Sequence, residues 1–516
     1  MMRTPARRKT APKAQVCQSV SYPAPIGGWN ARDALAAMKP TDAITLENWF
    51  PRTSYVEIRG GYANHVTGIT GAPKTLAVYN ALDGTNKMFA VNATAVYDVT
   101  TAGAVGASVA TVTNAQCQWL NAGNGTDNYL ILCNGTDKPL YYNGTTWVSV
   151  DAASSPALTG LTTTKIISAF LSKGRLFFIE KDSLSFWYLA AGAVGGALTE
   201  FPLDGVAKKG GYLVAGATWT FDGGDGADDA VVLATSQGEI IVYKGTNPSS
   251  GSTWALAGVF DLGRPLGRRC MGKLGGDLIL ITEGGVFPLA KALESASVDR
   301  NSAMTNKIES AFVESAVTYG STFGWEMTVY PAESAVLFNI PSVGQYVMNT
   351  ITKAWCKFTD WDAETFAVFN GELYFATSTK VVKAWTGFID GTSDIVAYGK
   401  GAFSYFGNTG STKRVLLYRP VLAVTGSLSF LTDIDVDFRD FTISGSATYT
   451  PAAGAVWDIS FWNLSYWASA IEIVRRWTSP AAYIGNCIAP KIKVATSTLQ
   501  VQWLSNDMTF EVGGPT

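Results

Sequence analysis

Histidine is nearly absent from this chain, and that scarcity limits its chemistry. His65 is the one histidine in 516 residues. Ser-His-Asp or Cys-His catalysis would need His65 as the base, and a site with several histidine ligands is excluded. A lone histidine at a strand end is expected to be structural. The glycine-rich phosphate loop, GxSxG and HExxH are missing too. We therefore expect neither an enzyme nor a cofactor.

Cysteine is also scarce, and it is scattered. The sequence has six cysteines without CxxC spacing, far below the density of a disulfide scaffold. They are Cys17, Cys117, Cys133, Cys270, Cys356 and Cys487. This pattern predicts free thiols in a chain that folds in a reducing cytoplasm.

Long apolar runs and an excess of one charge are lacking as well. The longest uncharged stretch, residues 184–198, is rich in Gly and Ala and shorter than the roughly 20 residues that span a bilayer. We expect no stable membrane insertion. The formal net charge is −2, so attraction to DNA or anionic lipid would need a local patch.

Such a patch lies in residues 1–20, a basic segment rich in Pro, Ala and Lys. Without an apolar core or a cleavage site, it is not expected to be a secretory signal. Its basic residues are Arg3, Arg7, Arg8, Lys9 and Lys13. The segment is predicted to be a flexible arm, either a solvated tail or one that orders on an acidic partner or on DNA.

What the chain does have is a repeated unit of apolar strands separated by polar turns. Its clearest copy is TFAVFNGELYFATSTKVVKAWTG, residues 365–387. Repetition at roughly 40 to 50 residues without an internal helix is typical of a β-propeller. Seven copies align on an apolar second strand at Met88, Tyr129, Leu176, Val231, Leu278, Val336 and Leu373. We predict an all-β propeller over residues 75–387, with about seven blades and six as the alternative.

Two features interrupt or precede the blades. Residues 21–74 form an extended segment whose strand-like end, Tyr55–Tyr62, is a candidate for the strand that closes the ring. A helix is predicted at about residues 302–319, with Ser302 as its N-cap and Gly320 at the C′ position. This helix either packs on its own chain or docks a partner.

After residue 387 the repeat stops, and residues 388–516 are predicted to form a Trp-rich, β-sandwich-like domain. Its tryptophans include Trp457, Trp462, Trp467, Trp477 and Trp503. In the strand IDVDF, Asp433, Asp435 and Asp437 alternate with apolar residues. Because strand side chains alternate with period two, we expect these aspartates on a solvated face.

Two charged segments are candidate contact sites. The acidic loop with Asp222, Asp225 and Asp228 could hold calcium, although Asp and Gly are also common in turns at blade ends. The second segment, GRPLGRRCMGK, is basic and could meet phosphates or a partner's acids, or be solvated. Its charged residues are Arg264, Arg268, Arg269 and Lys273.

Several longer runs resemble one family. They are ENWFPRTSYVEIRGGY (residues 47–62), STWALAGVFDLGRPLGRRC (252–270), NKIESAFVESAVTYGSTFGWEMTVYP (306–331) and QYVMNTITKAWCKFTDWDAETFAVFNGELYFATS (345–378). The chain resembles the tail nozzle proteins, also called packaged-DNA stabilisation or tail hub proteins, of short-tailed bacteriophages. The resemblance covers about residues 27–400 and continues more weakly through WDISFWNLSYW.

The resemblance implies a virion structural protein, assembled in the bacterial cytoplasm. Six copies would form a closed ring below the portal and its adaptor ring, at the lower end of the tail. The ring would line the DNA ejection channel, retain packaged DNA and dock fibres or spikes. Double-stranded DNA would pass through without sequence-specific binding. The resemblance supplies no catalytic residues.

A second hypothesis is a propeller carbohydrate-active enzyme or lectin. A buried carboxylate pair, or an arginine cluster converging on the propeller axis, would favour it, since glycosidases need two carboxylates at a set separation. A central hole plugged by apolar side chains would favour the ring subunit.

Overall fold

The structure is a computed structural model and describes residues 17–220, 229–293, 300–450, 471–480 and 483–515. The fold is nearly all-β, with 51% strand and 6% helix. The predicted class is therefore confirmed. The basic residues of the predicted arm (residues 1–16 of it), the acidic loop with Asp222, Asp225 and Asp228, and three of the tryptophans (Trp457, Trp462 and Trp467) lie outside the described residues. The prediction of a flexible arm is wrong for residues 17–20, because they belong to the strand Cys17–Pro23, which pairs with the last strand of the chain.

Seven antiparallel groups of three or four strands form the blades, and the chain builds most of them from the axis outward. Blades 1 to 5 are separate sheets, whereas blades 6 and 7 continue into a larger sheet. The strands of the seven blades, each from the inside, are Thr75–Tyr79, Lys87–Val91, Ala95–Asp98 and Ser108–Thr111; Gln118–Gly123, Asn128–Cys133, Leu140–Tyr142 and Trp147–Ser149; Ile166–Ser172, Arg175–Glu180, Ser185–Tyr188 and Thr199–Pro202; Leu213–Trp219, Ala230–Thr235, Glu239–Gly245 and Trp254–Asp261; Met271–Leu274, Asp277–Thr282 and Gly285–Pro288; Glu326–Tyr330, Ala335–Ile340, Gly344–Asn349 and Trp355–Phe358; Thr365–Phe369, Glu372–Ala376, Lys380–Ala384 and Tyr62–Thr67.

The blades form a closed ring. Each inner strand contacts the inner strand of the next blade, and that of blade 7 contacts that of blade 1. Each of the seven sequence anchors lies in the second strand of a blade. Neighbouring blades cover both faces of this strand, so it is apolar throughout rather than alternating. The count of seven blades is therefore correct.

The ring is closed by a strand that precedes blade 1 in the chain. Tyr62–Thr67 pairs antiparallel with Lys380–Ala384 as the outermost strand of blade 7. The first and last parts of the propeller are thus hydrogen-bonded to each other, which ties the ring shut.

The closing strand begins where the predicted one, Tyr55–Tyr62, ends. Val56–Ile58 pairs instead with Trp49–Pro51 and with a strand near the C-terminus. Gly60 and Gly61 separate the two strands, and a Cβ on Gly61 would lie 2.0 Å from the carbonyl oxygen of Ile389. The chain therefore changes sheets where no side chain fits.

The helix between blades 5 and 6 packs on its own chain. A 3-10 turn, Met304–Ile308, precedes the α-helix Glu309–Tyr319, so the α-helix begins later than predicted. Phe312 is 1% exposed and meets the ring of Trp325 at 5.8 Å. Gly320 has a φ of −59°, so it is not the left-handed C′ residue expected. Other short helical elements are Leu289–Ala292, Thr163–Lys165, Arg300–Ser302 and Pro331–Glu333.

The last part of the chain and three strands that precede blade 1 form two layers of strands that share one apolar core. The first contains Ser393–Gly401, Leu428–Val436, Gly445–Tyr449 and Ile488–Thr496; the second contains Cys17–Pro23, Trp49–Pro51, Val56–Ile58, Ser411–Val424, Glu472–Val474, Ile484–Gly485 and Val501–Pro515. We call this pair of layers the second unit. The two tryptophans described in the second unit differ in burial. Trp503 is fully buried, whereas Trp477 is half-buried, and the guanidinium carbon of Arg419 lies 4.3 Å from the centre of its ring.

The expectation of a solvated aspartate face in the second unit is wrong. Asp433 and Asp435 are both 0% exposed. Lys491 Nζ lies 2.5 Å from Asp435 Oδ1, and Lys400 Nζ lies 2.6 Å from Oδ2. Period two does place the aspartates on one face, but the segment that follows folds back over it: the amide of Phe441 donates to Asp435 at 3.0 Å. Asp437 alone of the three stays exposed.

Main-chain pairing joins the second unit to the rim of the propeller. Asp42–Glu47 pairs with Ser393–Gly401 and, at one residue, with the outer strand of blade 6. Ile389–Asp390 pairs with Ser393–Gly401 and with the closing strand of blade 7. Both blade edges are therefore covered instead of open to pairing with another chain. Further short strands are Gly28–Trp29, Gly103–Ala104, Leu158–Thr159 and Gly196–Ala197.

A buried arginine fixes this junction. The Arg59 side chain is 0% exposed and forms a double hydrogen bond with Asp390, at 2.8 and 2.6 Å. Its other three N–H groups donate to Asn48 Oδ1 and to the carbonyl oxygens of Gly60 and Thr359. All five donors are therefore paired. Its guanidinium also lies 4.8 Å from the ring centre of Trp361. We call these residues the junction hub.

Replacing Asp390 by Asn should destabilise the protein strongly. The change leaves Arg59 buried without its counter-ion, which we expect to lower the free energy of unfolding by about 3–5 kcal/mol. The control Asp261→Asn makes the same change in an ion pair with Lys209, where the Asp261 side chain is 57% exposed. It should cost less than about 1 kcal/mol. Urea unfolding followed by tryptophan fluorescence measures both, and equal losses would contradict the role of the hub.

Candidate functional site

A cavity of about 510 Å³ lies on the propeller axis, lined by the inner strands of blades 2 to 7. Inner strands of a propeller run side by side around the axis, so their first residues meet near one end of it. A cavity of this size is in the usual range for small-molecule sites. We call it the axial cavity, and the basic segment of residues 264–273 supplies part of its wall.

One end of the axial cavity holds an arginine that joins several blades. Arg269, just before the inner strand of blade 5, donates to Glu326 at 2.6 Å and to Thr365 at 2.9 Å, in blades 6 and 7. It also donates to Thr75 Oγ1 at 2.7 Å in blade 1, and to the carbonyl oxygen of Cys117 at 2.9 Å. The Arg269 side chain is 12% exposed. It thus acts as a cross-link between blades.

Glu326 is held as firmly as its partner arginine. Besides Arg269, it accepts hydrogen bonds from Thr365 Oγ1 at 3.2 Å and from the amide of Phe366 at 2.5 Å. Its side chain is 8% exposed. Glu326 is therefore fixed in place as the structural counter-ion of Arg269. We call this group of residues the axial network.

Arg268, the neighbour of Arg269, is bound much less completely. Its Nη1 donates to the carbonyl oxygen of Asn134 at 3.1 Å. Burial lowers the pKa of this guanidinium. Within the described ranges it has no carboxylate within ion-pair distance. It is therefore a half-buried cation that faces the cavity with donors to spare.

The basic segment thus divides into three roles that the sequence did not distinguish. Arg269 belongs to the axial network, and Arg268 and Lys273 line the cavity, Lys273 with an exposed side chain. Arg264 is exposed and is not among the cavity-lining residues. Arginines do converge on the axis, which is one of the two features that would favour the carbohydrate hypothesis, but the one most deeply placed forms an ion pair with Glu326.

Sequence reasoning missed the partners of Arg269. Thr75, Glu326 and Thr365 are each the first residue of an inner strand. Aligning the repeats on their first strand, rather than on the apolar second strand, would have shown polar residues at this position in blades 1, 2, 6 and 7 and apolar residues in the other three blades. Their common position on the axis is then a consequence of the propeller geometry.

The single histidine makes structural contacts. His65 Nε2 lies 3.0 Å from the carbonyl oxygen of Val99, and the His65 ring packs edge-on against Tyr374. Across the described residues, no group of three His, Cys, Asp or Glu side chains is placed to hold a metal ion. In the same part of the chain, no helix is long and apolar enough to cross a membrane.

The thiols provide a direct test of this packing. Burial raises the pKa of Cys117 and of Cys270 to about 12, and raises those of Cys133, Cys356 and Cys487 as well. Cys17 is exposed. Because the thiolate is the reactive form, we expect Ellman's reagent at pH 8 to modify Cys17 rapidly and the others only in urea. Rapid reaction of two or more thiols in the native protein would contradict the packing described.

Comparisons with known proteins give structural similarity without a family. No protein-family model and no curated protein matches the chain. The structure is similar to that of BBS1N in complex with ARL6DN, with 10% identity, a TM-score of 0.39 and coverage of 63% of this chain and 96% of that one. For the Pan2 WD40 domain of Neurospora crassa the identity is 8%, the TM-score 0.38 and the coverage 61% and 91%. For the extracellular domain of a putative hybrid two-component system from B. thetaiotaomicron, the identity is 10%, the TM-score is 0.42, and the match covers 80% of this chain and 47% of that one.

Proposed function

We propose that this chain is a virion structural protein: a subunit of the nozzle ring at the lower end of a short phage tail. In that role it lines the DNA ejection channel, retains packaged DNA and docks fibres or spikes. The proposal starts from the sequence runs that resemble nozzle proteins. It is supported by where those runs lie in the fold.

The runs meet in two buried polar groups. The run at residues 47–62 supplies Asn48 and Arg59 to the junction hub, and the run at 345–378 supplies Thr359 and Trp361. Together with residues 252–270 and 306–331, the latter run also supplies the axial network. Residues far apart in sequence are thus needed together for one architecture. This observation carries the proposal, because the runs that resemble nozzle proteins are the ones that build both groups in this chain.

The joined architecture suits a load-bearing wall. The second unit is attached to blades 6 and 7 by strand pairing and by Arg59, so the two parts are linked by buried contacts. A ring subunit needs such rigidity, because a heterologous contact closes a ring only if its angle is fixed. We place the subunits side to side around the DNA channel, as six copies, on the adaptor ring.

Assembly on purified portal-adaptor complexes tests this proposal. We expect the free protein to scatter light as a monomer and to form a ring in electron micrographs once the complexes are added, since a template lowers the entropy cost of association. Portals without the adaptor serve as the control and should stay bare. A stable two-fold dimer, or no binding to portal-adaptor complexes, would refute the proposal.

A second candidate is a lectin or carbohydrate-active propeller, and one observation favours it. Arg268 faces the axial cavity as a cation without a carboxylate partner among the described residues. Glycan-array binding and screens with glycoside substrates separate the two candidates. A structural subunit should give blank results, whereas turnover abolished by changing one Asp or Glu would favour the enzyme.

A further inference from the structure

We propose that the axial cavity binds a small oxyanion, a phosphate or a carboxylate, with Arg268 as its main ligand. The proposal concerns the single chain and does not depend on ring assembly. It rests on three features of the cavity: unused donors, unbalanced positive charge, and a volume suited to one small molecule.

The first feature is the surplus of hydrogen-bond donors. An arginine has five N–H donors, and Arg268 donates one hydrogen bond among the described residues, to the carbonyl oxygen of Asn134. Gln118, at the start of the inner strand of blade 2, also lines the cavity. Its buried Nε2 has no acceptor in the described part of the chain. Buried donors are normally paired, so the unpaired Gln118 donor in the cavity wall, together with the spare N–H groups of Arg268, leaves room for an acceptor that comes from outside.

The second feature is the charge balance of the cavity wall. Arg269 and Glu326 neutralise each other at 2.6 Å. This leaves Arg268 and Lys273 as lining cations without an ion pair in the described ranges, and Asp182 acts on Arg268 only from beyond ion-pair distance. A half-buried cation attracts an anion more strongly than an exposed one, because water screens it less. A ligand of the axial cavity is therefore expected to be an anion.

The third feature is the match of shape and size. A guanidinium presents parallel N–H groups that fit the two oxygens of a carboxylate or phosphate. The cavity volume of about 510 Å³ would hold a molecule about the size of a monosaccharide. Trp119, 38% exposed, also lines the cavity and offers an apolar surface for the body of such a ligand. Free phosphate and a sugar acid share the required chemistry.

The test is calorimetric titration of the full chain with sodium phosphate and, separately, with sodium glucuronate. Glucose and sodium chloride at matched ionic strength are the ligand controls. We expect Arg268→Gln to weaken binding at least tenfold. Arg264→Gln is the matched variant, since it removes the same charge from the same segment at an exposed position outside the cavity. It should stay within twofold of the unaltered protein.

The variant Gln118→Met provides a second test, because it removes a hydrogen-bond donor without removing a charge. We expect this variant to bind the anion several-fold more weakly than the unaltered protein. Thermal unfolding of each variant checks folding, so an unfolded Arg268→Gln protein would leave Gln118→Met to decide. Binding of phosphate alone identifies an inorganic ligand, and binding of glucuronate but not glucose identifies a sugar acid. The proposal is overturned if neither anion binds, if chloride gives the same heat, or if Arg264→Gln weakens binding as much as Arg268→Gln.

Discussion

The pairing of Arg59 with Asp390 is the contact on which the joined architecture depends. Both side chains are almost completely buried, and every N–H of the arginine has an acceptor. Its partners come from the segment before blade 1, from the outer part of blade 6 and from the strand that leaves blade 7. A charge removed from water is tolerated only with such complete pairing. The hub therefore fixes where the second unit sits on the propeller.

At the propeller axis, pairing of a buried charge again fixes one arginine, but its neighbour is left incompletely paired. Arg269 and Glu326 satisfy each other and link blades 5, 6, 7 and 1, so they belong to the scaffold. Arg268, one residue earlier, is left with donors that the described chain does not use. Two adjacent arginines thus have opposite characters, one structural and one available to a ligand. The difference comes from which of them meets Glu326.

Predictions from the sequence succeeded where the pattern of apolar residues within one strand is enough to indicate the burial of that strand. The apolar second strands located seven blades, because those strands are covered on both faces. The predictions failed where a segment distant in sequence determines whether a side chain is buried. Asp433 and Asp435 have the alternation of a solvated face, yet a returning loop and two lysines bury them. The closing strand was placed one segment too early, because Val56–Ile58 pairs with the end of the chain.

The sequence by itself determined the all-β class, the blade repeat, the free thiols and the scarcity of catalytic groups, since these follow from composition and short-range periodicity. Tertiary structure alone decided which charges are paired. Arg264, Arg268, Arg269 and Lys273 are indistinguishable as a basic run, and only the packing of the blades around the axis brings Glu326 and Thr365 to one of them. The physical reason is that charge pairing depends on contacts between blades, which are far apart along the chain and adjacent around the axis.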